Sequence, residues 1–174
     1  MAPSTAVPVE EYLRTTYHPD KEYVNGQLLE RNVGEHYDSR MQTLIILTLG
    51  PRESECRFRS FTEQRVRISG EPRYRIPDVC VKALPYKVSP VMERPDLAIE
   101  VLSPGDEPGE MLDKIADYVA AGIAYIWVVD PYKRALMEVV QGGIRRPQGS
   151  VLATPLVGEI DFASLFDKLD EPTE

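Results

Sequence analysis

At 174 residues and 19.7 kDa, the chain fits one domain (1–174, with 1–8 as a loose N-terminal tail). A chain this size buries roughly 70% of its unfolded surface and needs no staple. Hydrophobic residues at 43% and charged residues at 28% exclude wholesale disorder. The net charge of −8 works against broad, non-specific binding of polyanions.

The longest apolar runs, 44–49 and 123–129, fall far short of the roughly 20 residues that span a bilayer. Residues 1–9 lack the basic start and apolar stretch of a secretory signal. Cys56 and Cys80 are too few for a disulfide scaffold and too isolated for a zinc cluster. The expectation is a cytoplasmic protein with reduced thiols and no membrane partner.

Residues 9–17 read as a short helix. In 21–31, Asn25-Gly26 sits between alternating runs, a hairpin signal because both residues tolerate positive φ. A helix is expected over 35–49, with Met41, Leu44, Ile45 and Thr48 on one stripe and Gly50-Pro51 closing it. Residues 57–69 alternate and make one strand or two. The β-branched and apolar runs 76–83 and 96–102 have strand length and are bounded by prolines. A helix over 108–121 ends at Gly122, a buried strand over 124–129 stops at Asp130-Pro131, and 136–141 reads as a further strand. A capped helix closes the chain over 161–169. This order predicts an α/β fold, with helices flanking a central mixed β-sheet.

Charge is unevenly spread. Between Pro51 and Arg75 seven arginines face four glutamates, whereas the last 24 residues hold six acids and only Lys168. The arginines read equally well as a nucleic-acid contact or as a solvated, salt-bridged sheet face.

Three ionisable residues sit where packing alone would not put them. Asp78 follows Pro77 at the start of a strand, and alternation sends it to the same face as Cys80. Glu100 lies inside DLAIEVL, where five of seven residues are aliphatic; a carboxylate there is costly unless a cation satisfies it. Lys114 falls on the buried stripe of its helix with Met111, Ile115 and Tyr118, so it points towards the sheet. Two acids and a lysine from neighbouring elements, converging within about 8 Å, would suit Mg²⁺, which takes oxygen ligands and keeps several waters. The lysine would then orient water or stabilise charge building on a phosphoryl group. Plainer readings stand beside these: Asp78 as a turn residue, and Glu100–Lys114 as a buried ion pair. A Lys114 facing a hydrated cleft predicts that Lys114→Met changes stability by only about 1 kcal/mol.

RIPDVCV (75–81), PDLAIEVLSP (95–104) and DKIADYVAAGIAYIWVVDP (113–131), with KEYVNGQLLE (21–30) before them, resemble the Uma-type family of putative restriction endonucleases. That family belongs to the PD-(D/E)XK, restriction-endonuclease-like superfamily. The resemblance implies a Mg²⁺-dependent endonuclease hydrolysing phosphodiester bonds, with Mn²⁺ as a substitute, DNA as the partner and a homodimer as the assembly. It also implies that Asp78 and Glu100 hold the ion with the Val101 carbonyl, and that Lys114 replaces the lysine usually found two residues after the glutamate, where Leu102 stands. A catalytically silent module with the same fold, acting in protein interaction or regulation, is the alternative. Glu22 matches a family position without acquiring a role. His36, Trp127 and Cys80 read as a helix-cap or surface residue, a core residue and a small core hydrophobe, respectively.

Overall fold

The computed structural model describes residues 6–32, 34–68, 70, 72–140 and 143–170. Most of the expected tail, and the ends of the expected strands at Ser69 and Gln141, lie outside these residues.

The chain opens with helix α1 (Val9–Arg14) and a hairpin, β1 (Lys21–Val24) and β2 (Gln27–Glu30). Asn25 at φ 49° and Gly26 at φ 88° make the expected turn, and a Cβ on Gly26 would press to 2.9 Å from that of Ala6. Helix α2 (His36–Leu49) buries Met41, Leu44, Ile45 and Leu49, close to the predicted stripe. Next come β3 (Phe58–Thr62), β4 (Val66–Ile68), β5 (Arg73–Arg75), β6 (Val79–Ala83), β7 (Met92–Glu93) and β8 (Leu97–Val101). Helix α3 (Pro108–Ala120) leads to β9 (Tyr125–Asp130), β10 (Ala135–Val140) and β11 (Gly143–Arg145). A last hairpin, β12 (Val151–Thr154) and β13 (Gly158–Asp161), precedes α4 (Phe162–Asp167), whose Asp161 cap accepts from the Ala163 amide at 3.0 Å.

Six strands form the expected mixed sheet, in the order β11-β10-β9-β8-β6-β3. Its one parallel pair, β8 with β9, is the pair joined through α3, as a parallel connection requires a crossover. Side-chain alternation sorts the two faces. Val79, Val81, Leu97, Ile99, Trp127 and Val129 pack with α2 and α4. Cys80, Ala98, Ile126 and Val128 pack with Met111, Ile115 and Tyr118 of α3.

The single sheet expected from the sequence is in fact accompanied by a second, in the order β2-β1-β5-β4-β7. Residues 57–69 divide at Glu63, a non-glycine residue at φ 52°, so that β3 joins one sheet and β4 the other. The second sheet is anchored by Tyr12, Tyr23 and Tyr74, with the Arg65 guanidinium 4.3 Å from the Tyr12 ring centroid. It carries Glu22, Arg31 and Arg75 to the cleft beside α3.

Candidate active site

Strands β6 and β8 are antiparallel, with Val79 opposite Ile99; one step further along that register, Asp78 stands opposite Glu100. Asp78 lies one residue before β6 and Glu100 is the fourth residue of β8. By alternation both project to the α3 side, with Cys80 and Ala98. Helix α3 supplies Lys114 and, one turn on, Tyr118. Lys114 Nζ lies 3.3 Å from Glu100 Oε2, and the Tyr118 hydroxyl donates to Glu100 Oε1. The Val101 amide donates to Asp78 Oδ2 at 2.8 Å. All three residues singled out from the sequence therefore line one cleft of about 350 Å³, together with Val101, and none is on the opposite sheet face or in open solvent.

The structure adds partners that the sequence reading left without a role. Glu22, only 2% exposed, accepts from Arg75 Nη1 at 2.7 Å and from the Ile76 amide at 3.0 Å. Its Oε1 also lies 3.5 Å from Lys114 Nζ, so the lysine bridges two buried acids where the sequence suggested one. Arg75 continues to Asp117 on α3, Nε to Oδ2 at 2.7 Å, and Arg73 reaches the same carboxylate. Arg31, just beyond β2, donates from Nη2 to Asp78 Oδ1 at 2.7 Å and from Nη1 to Glu63 Oε1 at 3.0 Å.

Burial, and then the charge of Glu100, push the Asp78 carboxyl up to about 7, although Arg31, the Val101 amide and Lys114 pull it down. Burial works against the Lys114 charge, but Glu100, Glu22 and Asp78 outweigh it and hold its pKa above the usual lysine value. Tyr118 is pushed well above an ordinary tyrosine, first by burial and then by Glu100, and stays a donor. Burial also opposes the Arg31 and Arg75 charges, yet the surrounding acids raise both. The Cys80 thiol, pushed up to about 12 by burial alone, is inert, in keeping with its core position.

Among the described residues no three His, Cys, Asp or Glu side chains form a ready metal cluster. The Asp78 and Glu100 carboxylates do supply hard oxygen donors. Each of their four oxygens carries one of the hydrogen bonds given above, which leaves each group lone pairs for a further partner. Among the described residues lining the cleft there is no cysteine or histidine, and the carboxylate set fits an oxygen-seeking divalent cation better than zinc. The cleft rim is acidic: Glu30, Asp106, Glu107, Glu110 and Asp113 line it, against Arg31, Arg75 and Lys114 within.

Residues 9–157 match the family Uma2, described as putative restriction endonuclease. The crystal structure of a putative nuclease belonging to DUF820 from Anabaena variabilis ATCC 29413 superposes with a TM-score of 0.81 at 18% identity, covering 94% of this chain and 99% of that one. A cryo-EM structure of a DrdV–DNA complex gives a TM-score of 0.45 at 14% identity, over 81% of this chain and 12% of that chain. None of the curated proteins matches the sequence. The Anabaena likeness is one of fold, and it agrees with the restriction-endonuclease-like α/β architecture expected from the sequence.

Proposed function

This chain belongs to the Uma2 family of putative restriction endonucleases, and we propose that it hydrolyses phosphodiester bonds in nucleic acid, DNA first, at the Asp78–Glu100–Lys114 cleft. The observation that carries the reading is the Lys114 ammonium held against Glu100 with Asp78 opposite, all in one cleft. Asp78, Glu100 and the Val101 carbonyl would hold Mg²⁺ or Mn²⁺, which when bound supplies an activated water and charge stabilisation at phosphorus.

The chain's own residues have separate tasks. Lys114 keeps its proton at neutral pH, since three acids favour its charge. It is therefore a hydrogen-bond donor to water or to a phosphoryl oxygen, not a base. Glu22 and Glu100 hold its nitrogen from two sides. Tyr118 fixes Glu100 Oε1, leaving Oε2 towards Lys114. One observation favours the silent module instead: the acidic rim repels an approaching polyanion.

Nicking of plasmid DNA, and cleavage of DNA and RNA oligonucleotides, in Mg²⁺ or Mn²⁺ decide between the two. The wild type should cut, and Asp78→Asn and Glu100→Gln should each lose at least about a hundredfold in rate. A wild type that cuts no substrate with either ion gives the case to the module.

The raised Asp78 pKa adds a pH dependence. Below about 7 the carboxyl is protonated and must release its proton before it can ligate; above that it is already ionised. Ion binding should thus strengthen as pH rises and level off beyond about 7. Calorimetry in two buffers of different ionisation heat should give nearly one proton released per ion at about pH 6 and almost none at about pH 8. Asp78→Asn should abolish both the release and most of the binding. An ion that binds this variant as well as the wild type sits elsewhere.

A further inference from the structure

Among the described residues Arg31 is the one cation in contact with Asp78, and it lies just beyond β2, outside the elements that carry Asp78, Glu100 and Lys114. Its guanidinium spans Asp78 Oδ1 at 2.7 Å and Glu63 Oε1 at 3.0 Å. The Glu63 amide donates to the Asp78 carbonyl at 3.2 Å, so the two acids form one fixed bracket around the arginine. The Arg31 side chain is 12% exposed and lines the cleft next to Asp78 and Glu100. A fork this close to a ligating oxygen competes with a divalent ion both for the lone pairs of that oxygen and through like charge.

We propose, resting on the reading of the cleft given above, that Arg31 is an exchangeable counter-ion. It neutralises Asp78 when no divalent ion is bound, releases Oδ1 when the ion enters, and then binds a phosphate oxygen of the nucleic-acid strand. Three features argue for exchange over a fixed structural pair. Asp78 depends on a single side chain: Glu100 takes a buried tyrosine hydroxyl and the lysine, whereas among the described residues Arg31 alone bonds Asp78 from a side chain, the other Asp78 oxygen taking the Val101 amide. Glu63 is 54% exposed, so the second half of the fork is a weak tether in high dielectric. Arginine also presents the planar, paired donors that fit phosphate as well as carboxylate. The ion and the arginine thereby order the binding events. The free protein holds the ion weakly, and a phosphate that takes up the released guanidinium tightens it.

The test joins two readouts, ion affinity without substrate and the place of the guanidinium once the ion is bound. Arg31→Gln should bind Mn²⁺ about tenfold more tightly than the wild type by calorimetry, while its KM for DNA rises by about the same factor. Arg31→Lys, which keeps the charge, should stay within about threefold of the wild type in ion affinity. Because Arg31→Gln leaves a buried carboxylate short of a partner and could fail to fold, the wild type carries a second measurement. In crystals soaked with Mn²⁺, the guanidinium should have left Asp78 Oδ1 for the open cleft. An unchanged or weaker affinity in Arg31→Gln, or a guanidinium still bonded to Oδ1 beside the ion, overturns the exchange and leaves the nuclease reading standing. If neither protein binds Mn²⁺ at all, the cation site itself is wrong, and the exchange falls with it.

Discussion

Lys114→Met should lose both cleavage and about 3 kcal/mol of stability. Glu100 is 2% exposed in the middle of β8, and without Lys114 the Tyr118 hydroxyl is the one hydrogen-bond partner left to it among the described residues. Glu22 loses the same cation but keeps Arg75 and the Ile76 amide. Removing one partner of a buried pair costs roughly 3–5 kcal/mol because it strands the other charge. The low end applies here, since the Lys114 side chain is 18% exposed at the cleft wall and water can take its place. Cleavage should fall at least about a hundredfold, as expected when a donor to the developing phosphoryl charge is removed. Urea melts and plasmid nicking well below the melting temperature would measure the two losses separately. A variant that cuts within about threefold of the wild type would take Lys114 out of the chemistry.

This result departs from the near-neutral stability that the sequence alone suggests, and the reason is physical. The stripe of Met111, Lys114, Ile115 and Tyr118 correctly points the lysine at the sheet, but periodicity along a helix cannot count the acids waiting there. Glu22 is the second acid, and β1 gives no sign of it. Both Glu22 and its neighbour Tyr23 are buried, on opposite faces, so the strand shows no polar side against which a buried glutamate would stand out. Glu100 is legible for the opposite reason, being one carboxylate among five aliphatic neighbours. Asp78 is legible from Pro77 and strand parity.

The same contrast holds for the fold. The crossover from β8 through α3 to β9 can be read from run lengths and apolar content, and the Asn25-Gly26 hairpin from backbone chemistry. The second sheet cannot, because β4 and β5 have three residues each and β7 has two, too few for alternation to register. The arginines of 51–75 are mostly spent within the protein. Arg52 donates to the Val157 and Glu159 carbonyls, Arg59 pairs with Glu53, and Arg67 with Glu93. That pattern matches the salt-bridged reading of this stretch. Arg31 and Arg75 meet acids 47 and 53 positions away, respectively, and no local pattern encodes such a pairing.

Arg75→Leu should be more damaging to stability than Lys114→Met, at about 4 kcal/mol. The Arg75 side chain is 5% exposed and joins Glu22 to Asp117, both buried, through bonds of 2.7 Å each. Asp117 retains Arg73, so most of the penalty falls on Glu22, which is left with the Ile76 amide and a lysine 3.5 Å away. A loss of this size is a large fraction of the 5–15 kcal/mol that holds a typical domain together. If the cost is the stranded carboxylate, removing it should give much of the stability back. The double variant Arg75→Leu, Glu22→Gln should therefore be more stable than Arg75→Leu alone, a coupling that a double-mutant cycle reads directly. A single variant within about 1 kcal/mol of the wild type, or a double variant no better than the sum of its parts, would mean that Glu22 finds water instead. The consequence for function is positional. Arg75 ties β5 of the smaller sheet to α3, and β5 in turn pairs with β1, which carries Glu22. Loosening that tie lets the hairpin drift from the helix, and the Glu22 side of the Lys114 bracket goes with it. Cleavage by the remaining folded Arg75→Leu protein should then fall through kcat more than through KM, because in the proposed function the group displaced acts on the reacting phosphate and not on the rest of the strand.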